Sequence, residues 1–472
     1  MSTATAVQLT RPVIETTWLP EPTLTFADRH TDIDQKIGLA MWGPSSLGTP
    51  RHPDRIRLAV MGPSRAVEHA AVYVEDLNGG VDGDDHNQPF PGMTDTFKTK
   101  LVVDPHLDAI LTASEIGSVR AAGHARQQFE ALEHLVNDKF RALAEHDHPP
   151  DLVILALDDD LYGEFRTVDY SQDKKRIHRD LRRAVKARAM RYRLPTQLLQ
   201  ESTTRLVTKA GRSLDHAAEV AWNLGTGMFF KGGGLPWLPS GLSAGTCYIG
   251  ISFYRPLGER STLTTSVVQA FDENGDGLVL RGHNFRWDPT REERSAHLPE
   301  DAAAALIEMV LDRYRGERKQ LPRRVVVHKS SWYEPAELAG FRTALRSVDR
   351  HDLLALRQTS DWRLMRMGKY PPLRGTVLSA GDHSMLYTNG WVGALGYDHG
   401  HVPAPLEITD HRGDTGRVDL LREVLTLTKM NWNSSAFAES QPITLRFSRQ
   451  VGEILREVPA EEEPQPQYRY YM

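Results

Sequence analysis

Hydrophobic positions along the chain fall into two textures that meet near residue 240. In the first, Arg55–Met61 (RIRLAVM) is a short apolar run closed by Gly62-Pro63, which predicts a strand ending in a turn. From about Val119 to Ala144 apolar residues recur at helical spacing (Phe129, Leu132, Leu135, Val136, Phe140, Leu143), which predicts an amphipathic helix. Pro149-Pro150 stops that pattern, and Leu152–Leu157 (LVILAL) is a continuous apolar run of the buried-strand kind. A long basic helix is expected over 174–193, then a second amphipathic segment around Leu206–Trp222. This alternation of strand and helix predicts an α/β domain with a mostly parallel sheet.

Lys231–Ser243 (KGGGLPWLPSGLS) is the clearest boundary, and the texture changes after it. Thr246–Tyr254, Ser261–Phe271 and Leu278–Arg281 read as successive strands, with a turn at Asp272–Gly277. A helix (Glu300–Tyr314), a strand (Arg324–His328) and a further helix (Pro335–Arg346) follow. A three-stranded meander followed by a helix and another strand is the order of RNase H-like folds. Residues 1–50, rich in Thr, Pro and Asp, read as an extended lead-in. The expected division is therefore 1–50, 51–240 and 241–472.

Composition narrows the function classes. With 472 residues, 40% hydrophobic and 25% charged, the chain has the make-up of a globular protein with two or three domains. Its net charge of −5 means that any nucleic-acid site must come from local clustering of bases. The one cysteine, Cys247, excludes an internal disulfide framework and a cysteine-rich zinc site. No apolar stretch approaches the roughly 20 residues that span a bilayer, and the N-terminus lacks a signal-peptide pattern. No membrane association and a cytoplasmic location are expected.

The clustering is found at Lys174–Arg193 (KKRIHRDLRRAVKARAMRYR), where Asp180 is the only acid. Most charge runs are solvated helix faces. Here few acids stand at i±4 to pair with the bases, so a helix would repel itself unless an anion binds it. Arg182 and Lys186 lie one turn apart on one face, and two such cations can hold one phosphate. Arg193-Leu194-Pro195-Thr196-Gln197 ends the helix and opens a short strand carrying Gln197. Downstream, Ala221-Trp222-Asn223-Leu224-Gly225 leads to Phe229-Phe230-Lys231-Gly232-Gly233.

Together these residues resemble the MID domain of Argonaute proteins, with Arg182, Lys186, Gln197 and Lys231 matching its guide 5′-phosphate pocket. Arg182 stands where many relatives carry Tyr or His. Lys369–Thr376 (KYPPLRGT) and Leu427–Asn433 (LTKMNWN), with Pro442-Ile443-Thr444 downstream, resemble the PIWI segment after the third strand and the C-terminal helix. The resemblance covers residue 50 to the end and is to the short prokaryotic type. It implies a Rossmann-like MID domain followed by an RNase H-like PIWI domain. It also implies a short guide RNA, a complementary single-stranded DNA target, and a partner with an APAZ region fused to a TIR, sirtuin-like or nuclease effector, in defence against invading DNA. Arg179, Arg183, Thr196, Asn223, Arg374 and Lys429 are expected as supporting nucleic-acid contacts. The Met472 carboxylate is expected to join a Mg²⁺ at the guide 5′ end.

An active PIWI domain gathers two divalent cations about 4 Å apart on acidic side chains. The first acid position offers Ser252 and the next Ser330, beside Lys329; the fourth falls near Asn431 or Asn433. A neutral hydroxyl does not balance a hard cation's charge, so the chain is expected not to cleave. Its rivals are an active RNase H-like nuclease with displaced ligands and a guide-independent nucleic-acid binder. Four further motifs do not carry function. Gly241-Leu242-Ser243-Ala244-Gly245 follows a linker and precedes a strand, unlike a nucleophile elbow. Asp272–Gly277 starts like an EF-hand loop, but position 12 is His283. Asp158-Asp159-Asp160 reads as a loop or helix start, and His146, His148 and His178 have no zinc-site spacing.

Overall fold

The computed structural model describes residues 13–172, 174–205, 215–259, 262–270, 277–287, 295–359, 361–393 and 402–472. The first described strand, β1 (Ile14–Trp18), lies at the rim of the second sheet. Helix α1 (Gln35–Trp42) follows, with the Asp34 carboxylate accepting from the Lys36 and Ile37 N–H groups at its start. Strands β2 (Arg55–Gly62), β3 (Lys100–Val103) and β4 (Leu152–Leu157) enclose helices α2 (Ser64–Gly79) and α3 (Ala125–Ala144). Then come β5 (Lys175–Asp180), α4 (Leu181–Arg191), β6 (Thr196–Gln200) and α5 (Ala217–Lys231).

The order β6-β4-β2-β3 forms a parallel sheet, with a two-residue strand, Ala109–Ile110, also on β2. β4 shows why its apolar run is continuous. Leu152, Ile154 and Ala156 enter one core, while Val153, Leu155 and Leu157 enter the core on the other face with Phe129 and Phe140 of α3.

The second sheet contains β7 (Thr246–Tyr254), β8 (Thr262–Ala270) and β9 (Leu278–Arg286), then α6 (Glu300–Arg318) and β10 (Arg324–Lys329). It continues with α7 (Pro335–Ala344), β11 (Arg350–Gln358), β12 (Thr376–Ala380), β13 (His383–Leu386) and β14 (Leu406–Gly413). Helices α8 (Arg417–Leu427) and α9 (Ile443–Leu455) close the lobe. Nine strands run in the order β1-β12-β13-β14-β11-β10-β7-β8-β9. β7 pairs antiparallel with β8 and parallel with β10, so the meander, helix and strand take their RNase H-like places. α6 and α7 cover one face. α9 covers the other so closely that a Cβ on Gly250 would lie 2.0 Å from the Thr444 carbonyl oxygen.

Four expectations need correction. Residues 13–50 are part of the fold: β1 extends the second sheet along β12, Glu21 pairs with Arg374 and Lys429, and Gln35 donates to the Ala436 and Phe437 carbonyls. The basic run is only half helix, because Lys175–Asp180 pairs as a hairpin with Thr167–Gln172 and Asp180 then caps α4 through the Arg183 N–H. The helix expected from Val119 is broken at Gly123, whose φ is 97°, into Ala113–Arg120 and α3. Leu427–Asn433 is the end of α8 and the loop after it, while the last long helix is α9. The turn at 272–276 and positions 206–214 lie outside the described residues. Gly241–Gly245 is a loop before β7, and Asp158 caps a short helix by accepting from Leu161 N–H at 2.7 Å.

Candidate nucleic-acid interface

Lys186 and Lys231 arrive at one place from different elements. Lys186 lies mid-way along α4, on the face turned toward β6; its ammonium donates to the Thr196 carbonyl at 3.2 Å and the Thr196 hydroxyl at 3.4 Å. It also donates to the main-chain oxygen of Met472, which the run after α9 brings in from the second lobe. Lys231 is the last residue of α5, and its ammonium donates to Gln197 Oε1 at 2.6 Å. Gln197 is held in turn by its own Nε2, which donates to the Leu198 carbonyl at 3.0 Å. Arg182 stands exposed one turn before Lys186 and its charge reaches both lysines.

The electrostatics of this cluster are those of an unanswered anion site. Both ammoniums are buried, and among the described residues no Asp or Glu side chain pairs with Lys186, Lys231 or Arg182. Burial, and then the neighbouring Arg182, push Lys231 down to about 7. Burial, Lys231 and Arg182 push Lys186 well below the usual lysine range. Three basic side chains converging without an Asp or Glu side chain repel one another, and an added phosphate would relieve that. A bare Mg²⁺ does not fit the donors present. The Met472, Thr196 and Gln197 oxygens already accept from ammoniums, and the surrounding charge is positive.

The expected supporting residues divide differently. Arg179 is buried between Glu133 (2.9 Å) and Glu457 (2.8 Å), Arg183 pairs with Glu453 (2.6 Å), and Arg188 with Glu133 (2.7 Å). Bases without partners nearby in sequence thus find acids far along it. Arg374 and Lys429 are buried on Glu21 at 2.9 Å each, and Lys429 also donates to the Ile33 carbonyl. Asn223 Oδ1 accepts from the Ser435 N–H at 2.8 Å and from the Ser434 and Ser435 hydroxyls. Arg179, Arg374, Lys429 and Asn223 therefore tie the chain together internally. Of the six, Thr196 alone contacts the pocket.

At the nuclease-like centre, Ser252 lies on β7 opposite Ser266, and Ser330 is exposed just past β10. Beside it Lys329 is buried in an ion pair with Glu337, with His297 Nδ1 3.5 Å away. Asn433 sits against Gly227 of α5, so the loop carrying Asn431 and Asn433 is docked on the first lobe. The side chain that the second lobe's last helix brings to this strand pair is Thr444, bonded to His328 Nδ1 at 2.8 Å. Its contact with Gly250 and His328 joins residues from three separate elements, which no local motif announces. Among the described residues no group of three or more His, Cys, Asp or Glu side chains is placed to hold a metal ion. No helix among them is long and apolar enough to cross a membrane.

Solved structures with a similar architecture include Argonaute and Piwi proteins. Clostridium butyricum Argonaute bound to a guide DNA and a 19-mer target DNA superposes with a TM-score of 0.66 at 14% identity, over 95% of this chain and 54% of that one. Drosophila Piwi gives 0.61 at 13% identity, over 97% and 56%. A. aeolicus Argonaute gives 0.58 at 16% identity, over 95% and 54%. The chain thus spans about half the length of these proteins. No protein-family model matches it, and no curated protein matches it by sequence. The fold class is therefore the Argonaute-like α/β pair, a Rossmann-like MID lobe followed by an RNase H-like PIWI lobe.

Proposed function

We propose that this chain holds the 5′-phosphate of a short guide strand, by preference RNA, and through it recognises a complementary single-stranded DNA. The observation that carries the reading is the convergence of Arg182, Lys186, Gln197 and Lys231 on one pocket in which, among the described residues, no Asp or Glu side chain pairs with the cations. Lys186 and Lys231 would bind phosphate oxygens, Gln197 would orient Lys231, and Arg182 would cover the pocket mouth. Base pairing would read sequence while the protein holds backbone and shape. No step is assigned to Mg²⁺.

The PIWI lobe is proposed to be inactive as a nuclease. Neutral Ser252 and Ser330, and the Lys329 ammonium paired with Glu337, support this. The output would come from an APAZ-containing effector partner in prokaryotic defence. Ten of the thirteen exposed large apolar side chains among the described residues lie in 13–42 or 365–370, including Ile14, Trp18, Met41 and Met367. Among the described residues β1 is also an edge strand with one side unpaired. Such a surface suits a protein that adds a strand, and the chain has only about half the length of its structural neighbours.

Protein loaded with a 5′-phosphorylated oligonucleotide should retain a labelled complementary strand, discard a scrambled one, and leave both uncut in Mg²⁺. Equal retention of both strands would sink the guide reading. Mg²⁺-dependent cutting that survives changes at Ser252 and Ser330 but is lost with a nearby acid would sink the inactive-lobe reading.

A further inference from the structure

Residues 456–472 leave the end of α9 and run across β9 to the phosphate pocket, where Met472 meets Lys186. Arg281, on β9, holds the start of this run. Its Nη1 donates to the Pro459 carbonyl at 3.0 Å and the Glu462 carbonyl at 3.2 Å. Its Nη2 donates to the Val458 carbonyl at 3.2 Å and the Leu455 carbonyl at 3.4 Å. Further along, Val279 N–H donates to the Pro466 carbonyl at 2.7 Å, and Leu278 bridges to Gln467. The Tyr471 hydroxyl donates to the Gln465 carbonyl at 2.8 Å, and Tyr471, Tyr470 and Met472 are buried.

A helix end leaves carbonyls without partners, and a cation there also answers the helix dipole. Among the described residues no carboxylate pairs with Arg281; its guanidinium serves the four carbonyls of this run and also interacts with the Tyr254 hydroxyl. Its influence extends to the far end, where its charge acts on the buried Tyr471 hydroxyl. Arg281 also lines a cavity of about 790 Å³ between the lobes, as does Arg188 of α4.

We propose that Arg281 is a positioning residue of the phosphate pocket. It sets the run 456–472 so that Met472 reaches Lys186, and it links the inter-lobe cavity to a pocket it does not touch. The proposal rests on the 5′-phosphate reading of that pocket.

The test compares dissociation constants for one oligonucleotide with a 5′-phosphate and with a 5′-hydroxyl. The proteins are wild type, Arg281→Ala, Arg281→Lys and Arg57→Ala. Arg57 pairs with Asp104 in the first lobe and touches nothing in the run, so its loss lowers the melting temperature without reaching the pocket. Arg281→Ala should reduce the phosphate preference about tenfold, and Arg281→Lys should recover part of it. Hydrogen exchange over 463–472 should quicken in step. Should the alanine variant fail to fold, the lysine variant carries the same comparison. A wild-type ratio in a folded Arg281 variant, or an equal loss in Arg57→Ala, overturns the proposal. A wild-type protein with no phosphate preference overturns the pocket reading and this proposal with it.

Discussion

Lys231 shows how burial prepares a side chain for an anion. Held at about 7 by burial and Arg182, it is partly deprotonated at neutral pH in the empty pocket. A 5′-phosphate is close to dianionic above its second pKa of about 6 and binds the protonated ammonium. Above pH 7 the complex must therefore take up protons that the empty pocket has lost, and each weakens binding by up to about tenfold per pH unit. The preference for 5′-phosphate over 5′-hydroxyl should fall between pH 7 and 9 in a binding titration; a flat ratio would mean that these ammoniums are not ligands. For the empty protein the linkage runs the other way. From about 7 to the ordinary 10.5 the unfolded chain holds the extra proton, so this residue's contribution makes stability rise with pH across that window. Arg182, Gln197 and Lys231 are readable in sequence because each sits near an element end marked by Asp180, Pro195 or the Gly232-Gly233 pair, and Lys186 because it follows Arg182 by one helical turn. Arg281 was not readable, since its partners are backbone carbonyls more than 170 residues away.

Elements with a single clear period were read well. The β4 run and β7 are legible to the residue, because a mainly apolar run of strand length between turn signals admits one strand. The basic run was misread where charge hid a period of two. Val168 enters the core and Ile177 is buried, while Arg176 and His178 on either side of Ile177 are exposed and Arg179 finds distant acids. Arg179 is the clearest case. As an internal link between Glu133 and Glu457, its replacement by Ala should destabilise the protein by about 3–5 kcal/mol, because buried carboxylate charge loses its partner. Thermal unfolding checks this. A variant that melts like wild type but binds nucleic acid weakly would return Arg179 to the role of a surface contact.

On the scale of the whole molecule, one core runs through both lobes. Phe230 of α5, Trp432, Phe447 of α9 and Tyr468 pack tilted and edge-to-face at the junction, with Phe230–Trp432 centroids 4.6 Å apart and Phe447–Tyr468 centroids 3.7 Å apart. The pocket therefore belongs to neither lobe alone: Lys186 and Lys231 come from the first and Met472 from the second. At the opposite rim Trp18 and Ile14 stand exposed on a strand that has no outer partner among the described residues. Trp18→Glu should leave oligonucleotide binding unchanged and abolish co-purification with a co-expressed APAZ-containing partner, assessed by size-exclusion chromatography. Retention of the complex would place the partner elsewhere. The central claim, a pocket built for a guide's 5′-phosphate, is tested most directly by one thermodynamic cycle. Dissociation constants are measured for the same oligonucleotide with a 5′-phosphate and a 5′-hydroxyl, on wild type and Lys231→Ala. The account predicts that phosphate tightens wild-type binding by at least about tenfold and that Lys231→Ala removes most of this gain. Equal wild-type constants for the two ends would contradict it.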